Sequence, residues 1–171
     1  MEINLKTLTL LLAIIITGLS AGLFYAWKIS VIPGLKNISD KSYLETMQSI
    51  NRAILNPEFY AIFFGSLLLL IASAYFQFKV NIDASFGLII VAAIFYGVGT
   101  IGTTALGNVP MNESLDLVDL TKLNVEELRL IRLHYEGQWN QFNTIRTVFS
   151  VLSFIAILVS SFLNESIGVK I

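Results

Sequence analysis

Charge is spread unevenly along this chain. Four stretches stay almost free of it for about the ~20 residues that a membrane-crossing helix needs. They cover residues 7–32, 59–78, 84–106 and 139–163, with Lys28 the only charge in the first and Arg146 the only charge in the fourth. Glu58 and Lys79 fence the second stretch, and Asp83 opens the third. The link Lys79-Val-Asn-Ile-Asp83 is short, which predicts that the second and third helices are antiparallel neighbours. The expected fold is all-α: an integral membrane four-helix bundle forming one domain over residues 1–171, with amphipathic helices in its two long loops. The first stretch also has features of a signal peptide, with Lys6 ahead of an apolar run and small residues at Ser20-Ala21-Gly22. Its apolar run reaches Ile32, too long for a signal core, which favours a retained helix.

The two long loops carry helical periodicity of their own. From Lys41 to Leu55, Leu44, Met47, Ile50 and Ile54 recur at spacings of three and four, the apolar stripe of an amphipathic helix. Asp40 or Ser42 is expected to cap it, and Asn56-Pro57 to end it. In the other loop, Asn124 followed by Glu127 predicts a capping box that opens a helix leading into the fourth span. Leu128, Ile131 and Tyr135 would give that helix a membrane-facing stripe.

Composition agrees with lipid as the main solvent. The chain is 55% hydrophobic and 13% charged, with mean hydropathy +0.73. Soluble domains carry about 25% charge. A net charge of −1 gives no footprint for nucleic acid. The absence of cysteine excludes disulfides, thiolate nucleophiles, thiolate metal sites and dithiol–quinone chemistry. A single histidine excludes a His-rich metal site within one chain. Lys28, Lys36, Lys41, Arg52, Lys122, Arg129, Arg132 and Arg146 lie on the long-loop side, against Lys6, Lys79 and Lys170 on the other. Many of the former are balanced by acids, so the charge rule gives a mixed answer. The expectation is a multi-pass protein of the bacterial inner membrane with both termini in the cytoplasm. The expected partners are the lipid bilayer and a small aromatic or hydrophobic ligand. Homo-oligomerisation is left open.

Gly97-Val-Gly99-Thr-Ile-Gly102 spells a dinucleotide fingerprint, but it lies inside a long apolar span and is followed by Gly107-Asn108-Val109-Pro110, read as a helix stop. Close helix packing is the better reading, as it is for Gly18-Leu-Ser-Ala-Gly22. The fourth span says more. At 100° per residue, Trp139, Asn143, Arg146, Ser150 and Ser153 share one face within an otherwise apolar helix. A charge and an amide at membrane depth belong in a bundle interior or a polar cavity. The alternative makes Trp139 an interfacial anchor and Arg146 a snorkelling side chain. Asn51, Asn108 and Asn112 fall where other segments end at the same membrane face. With Trp139, Asn143 and Arg146 they form the expected ligand site, although each asparagine alone would by default cap a helix. Arg146, Asn143 and His134 are the candidate catalytic groups, His134 because imidazole titrates near neutrality.

The chain resembles the anthrone-oxygenase-like family of small membrane proteins. The resemblance is carried by Gly22-Leu-Phe-Tyr-Ala-Trp27 with Ile32-Pro33-Gly34-Leu35, Met47-Gln48-Ser-Ile-Asn51 with Asn56-Pro57, Gly107-Asn108-Val-Pro110-Met-Asn112, and Trp139-x-x-x-Asn143-x-x-Arg146-Thr147. It implies a four-span fold and oxidation of an anthrone to an anthraquinone by molecular oxygen, with no metal and no cofactor. It carries over no substrate and no general base, because His134 matches none of these pieces. Two functions follow as expectations: a cofactor-independent oxygenase of a small aromatic or polyketide-like substrate, or a non-enzymatic membrane protein that binds a lipid or small hydrophobic ligand or serves as a partner subunit.

Overall fold

The structure is a computed structural model that describes residues 4–166, with side chains placed through residue 163. Lys170 lies outside the described residues, as do the ends of the chain. Four helices are long and apolar enough to cross a membrane: Leu5–Leu35, Pro57–Phe78, Ala84–Asp116 and Val125–Leu163. The all-α bundle expected from the pattern is the fold observed.

Each long helix begins where a polar side chain takes its first free amides. Asn4 caps α1 (Leu5–Ala26) by accepting the Thr7 N–H at 2.9 Å. Asn56 caps α4 (Pro57–Phe78) through the Phe59 N–H at 2.8 Å, and Asp83 caps α5 (Ala84–Ile94) through the Phe86 N–H at 3.0 Å. At the start of α7 (Val125–Ser166) the capping box closes in both directions: Glu127 N–H to Asn124 at 3.0 Å and Asn124 N–H to Glu127 at 2.8 Å. The amphipathic helix of the first loop, α3, spans Asp40–Ala53 and is capped by Ser39 rather than by Asp40 or Ser42.

Neither internal proline stops its helix. The first helix continues from α1 through a π-helical turn, Trp27–Val31, into the short α2 (Ile32–Leu35). The third continues from α5 through π-helical turns Phe95–Gly102 and Thr104–Asn108 into α6 (Val109–Asp116). The residue before each proline donates its N–H five positions back, Ile32 to Trp27 and Val109 to Thr104. Proline lacks an N–H, and in a regular helix its ring meets the carbonyl four residues back. The wider turn absorbs both problems, so the expected stop at Gly107–Pro110 is a continuation.

Helix α1 packs on α4 and α7, and α5 packs on the same two, closing a ring of four. The exterior is apolar: Leu8, Leu11, Ile15 and Leu19 of α1, Phe64, Leu68 and Ile71 of α4, and Val148, Leu152 and Ile155 of α7 are exposed. The interior mixes small polar and apolar groups, with Thr17, Ser20, Ser66, Ser73, Thr100, Ser150 and Ser153 buried. This is the pattern of a protein solvated by lipid, whose helices associate by close packing and hydrogen bonds. The small-residue reading holds where rings meet glycines. A Cβ on Gly99 would fall 2.1 Å from Phe149, one on Gly107 2.6 Å from Phe142, and one on Gly18 2.9 Å from Phe154. Gly22, by contrast, faces open space.

Two cores stack along the bundle. One joins Leu10, Leu70, Ile89, Tyr96 and Ile157. The other, at the long-loop end, joins Tyr43, Leu44, Met47, Leu115, Leu128, Tyr135 and Trp139. The expected membrane-facing stripe of Leu128, Ile131 and Tyr135 is corrected here: Leu128 and Tyr135 are buried and Ile131 packs against the same core, because α3 lies across that face of α7 and Met111 and Leu115 of α6 join the cluster. The two loops share one end. Gln48 of α3 donates to Leu115 O at 2.8 Å and Val118 O at 3.0 Å, and Arg52 pairs with Asp116. Arg132 of α7 ties down the end of the first long helix, donating to the carbonyls of Lys36 at 3.0 Å and Ile38 at 2.7 Å. It also pairs with Asp40 and Glu136 and lies 4.5 Å over the Tyr43 ring. Burial, reinforced by Glu136, raises the Tyr43 pKa well above the ordinary phenol range.

Candidate functional site

The polar face of α7 enters the seam between these two cores. Trp139, Asn143, Arg146, Ser150 and Ser153 are all buried, with Arg146 8% exposed. Arg146 donates from Nε (3.1 Å) and Nη2 (2.9 Å) to Oδ1 of Asn143, one turn earlier. Its guanidinium lies 4.6 Å above the Phe24 ring and 5.1 Å from the Trp139 ring. Among the described residues, no carboxylate lies within ion-pair reach of it; the ion pairs found are all made by other residues. A buried cation is costly unless something compensates it. Here the protein supplies one amide oxygen and two aromatic faces, so most of the charge remains available to a ligand.

A second set of bonds aims the amides. Oδ1 of Asn112, on α6, accepts both Trp139 Nε1 at 2.8 Å and Tyr135 OH at 2.9 Å. With both lone pairs engaged, the amide orientation is settled and its NH₂ is the free end. Asn51, at the end of α3, donates to Tyr135 OH at 3.0 Å. Asn108 donates to the Trp139 carbonyl at 3.2 Å, holding the turn from which the indole projects. Three buried polar atoms here have no hydrogen-bond partner among the described residues: Trp27 Nε1, Asn108 Oδ1 and Asn143 Nδ2. The Trp27 and Trp139 rings lie 5.6 Å apart.

A cavity of about 80 Å³ opens beside the guanidinium. Arg146, Asn112, Asn51 and Trp139 line it, and Leu23, Phe24, Trp27, Ile54, Leu55 and Phe59 form much of its apolar wall. Four of the six expected ligand-site residues therefore share one chamber. The other two, Asn108 and Asn143, are fully buried behind it and hold Trp139 and Arg146 in place. His134 is not brought into this group. It is exposed and lines a separate apolar groove of about 450 Å³ between α6 and α7, with Met111, Leu130 and Ile131. Phe24, Trp27 and Tyr135 belong to the constellation although none was expected in the site. Tyr135 stands four residues before Trp139 and eight before Asn143, a helical spacing that places it on their face. Among the described residues no group of three His, Asp or Glu side chains is placed to hold a metal ion.

These features define a class: a multi-pass helical membrane protein whose bundle encloses a cationic cavity walled by aromatic rings. The family model for anthrone oxygenases matches residues 58–156, more than half of the chain, and the chain belongs to that family. The matched stretch includes Asn108, Asn112, Trp139, Asn143 and Arg146; the α1 and α3 pieces of the site lie outside it. No curated protein and no solved structure matches.

Proposed function

We propose that this protein is a cofactor-independent oxygenase acting on a small aromatic or polyketide-like substrate. The observation that carries the reading is Arg146, a cation buried beside a cavity with aromatic walls and no carboxylate partner among the described residues. An anthrone methylene is acidic because its carbanion is also the enolate of an aromatic ketone. Arg146 and the Asn112 NH₂ would stabilise the enolate oxygen, an arrangement that acts more strongly in a dry site than in water. Trp139 and Trp27 would hold the ring. The carbanion passes one electron to O₂, and the resulting radical and superoxide combine to form a C–O bond. The peroxide anion so formed takes a proton, and the resulting hydroperoxide loses water, leaving a ketone. Overall the methylene loses two hydrogens, one oxygen atom of O₂ enters the product, and the other leaves as water.

The test is turnover of anthrone by the detergent-purified protein in air-saturated buffer. Anthraquinone should form faster than in a protein-free micelle blank, with one O₂ consumed per quinone. A rate equal to the blank contradicts the reading. The apolar groove beside His134 supports the rival, a non-enzymatic binder; that reading predicts a co-purifying lipid or hydrophobic molecule and no turnover.

A further inference from the structure

The cavity is rich in donors and holds no proton acceptor of the kind a base requires. None of the residues that line it is a carboxylate, a histidine or a lysine. Charged and titratable groups on the elements around it point elsewhere. Lys28, Glu58 and Glu113 do not line it, Arg52 and Asp116 pair with each other, and Glu136 binds Arg132. His134 lies in the outer groove. The Tyr135 hydroxyl is taken up between Asn51 and Asn112 and does not line the chamber. The polar side chains that line the chamber are Arg146, Asn112, Asn51, Thr104 and the indoles of Trp27 and Trp139. Asn51 donates its NH₂ to Tyr135 OH and Thr104 its hydroxyl to Thr100 O, which leaves the guanidinium and the Asn112 NH₂ as the donors open to a ligand.

We propose that the cavity takes its substrate as a preformed oxyanion, the enolate or phenolate of an acidic aromatic, and that no residue of this chain serves as the general base. The proton goes to solvent water before the anion docks, and the site draws the ionisation forward by binding only the charged form well. A neutral ligand would leave the Arg146 charge uncompensated. An anion compensates the cation and accepts from the amide at once. The substrate class is thereby narrowed to aromatics with an acidic C–H or O–H, and the rate of such an enzyme would follow the acidity of its substrate. For the steps after binding, the inference rests on the oxygenase reading; the binding step is testable without oxygen.

The experiment titrates p-nitrophenol, whose anion is yellow, with the detergent-purified protein under argon and with protein-free micelles as reference. The bound probe should ionise about one pH unit or more below the reference, an anion preference of about tenfold. His134→Ala should leave that shift intact, and Arg146→Gln should remove it. A midpoint that is unchanged or raised in the wild-type protein overturns the proposal, as does failure of the probe to bind in either form. The wild-type titration decides the matter even if the Arg146 variant does not fold. A lowered midpoint without anthrone turnover sinks the oxygenase reading and leaves the oxyanion site standing. Turnover without a lowered midpoint does the reverse.

Discussion

Arg146 invests a buried charge where leucine would pack more easily. Membrane-depth cations are costly, and its protein partners do not neutralise it. A residue kept for stability and one kept for chemistry predict opposite outcomes on removal. Arg146→Met, similar in length and uncharged, should abolish anthrone turnover while leaving the melting temperature in detergent equal or higher. A fall in melting temperature alongside activity would mark Arg146 as structural. Asn143 differs, because it supports the guanidinium from a fully buried position. Asn143→Ala removes the only hydrogen-bond acceptor that a buried cation has among the described residues and should cost about 1–3 kcal/mol of stability as well as activity. The glycines divide in the same physical way. Gly99→Ala puts a methyl into the Phe149 ring and should cost about 1–3 kcal/mol. Gly22→Ala meets nothing within 4 Å and should be within about 0.5 kcal/mol of wild type.

At the scale of elements, the site depends on where helices widen into π-helical turns and where one ends. The periodicity of α7 is legible in sequence because a single charge in an apolar helix marks a face, and the structure buries that face. The neighbouring π-helical turns are not legible. Pro33 and Pro110 follow sequence rules for helix ends, yet a π-helical turn that ends two residues earlier lets each helix run on, and α6 thereby brings Asn112 to the cavity. The burial of Tyr135 escapes the sequence for a related reason. A stripe of Leu, Ile and Tyr reads equally well as facing lipid or facing a second protein layer, and only the folding of α3 over α7 decides. The residues just after α3 also line the chamber. A chamber of about 80 Å³ is smaller than the ~150 Å³ that holds a benzene ring. Binding an aromatic therefore requires the wall to yield, and Ile54 and Leu55 are part of it; Leu55 is 61% exposed and immediately precedes the Asn56 cap. Ile54→Ala should tighten p-nitrophenol binding and Ile54→Trp should block it, read by equilibrium titration. Equal affinities in both variants would place the ligand elsewhere.

For the whole molecule, hydropathy alone was enough to expect four helices and an all-α bundle, since no soluble surface is built from so few charges. The joining of the two long loops at one end comes from Gln48, Arg52 and Arg132, whose bonds link residues far apart in sequence. Reporters placed in the loops near Lys36 and Lys122 should therefore report the same side of the membrane; opposite sides would break the four-span arrangement. On the oxygenase reading proposed above, the buried Arg146 stabilises the aromatic carbanion that meets O₂. The most direct measurement of that role is anthrone oxidation under ¹⁸O₂ by metal-stripped wild-type protein and by folded Arg146→Gln. The account predicts one labelled oxygen per anthraquinone from the wild type, and a rate at least about a hundredfold lower in the variant. Equal rates in the two proteins, or a quinone whose new oxygen comes from water, would contradict it.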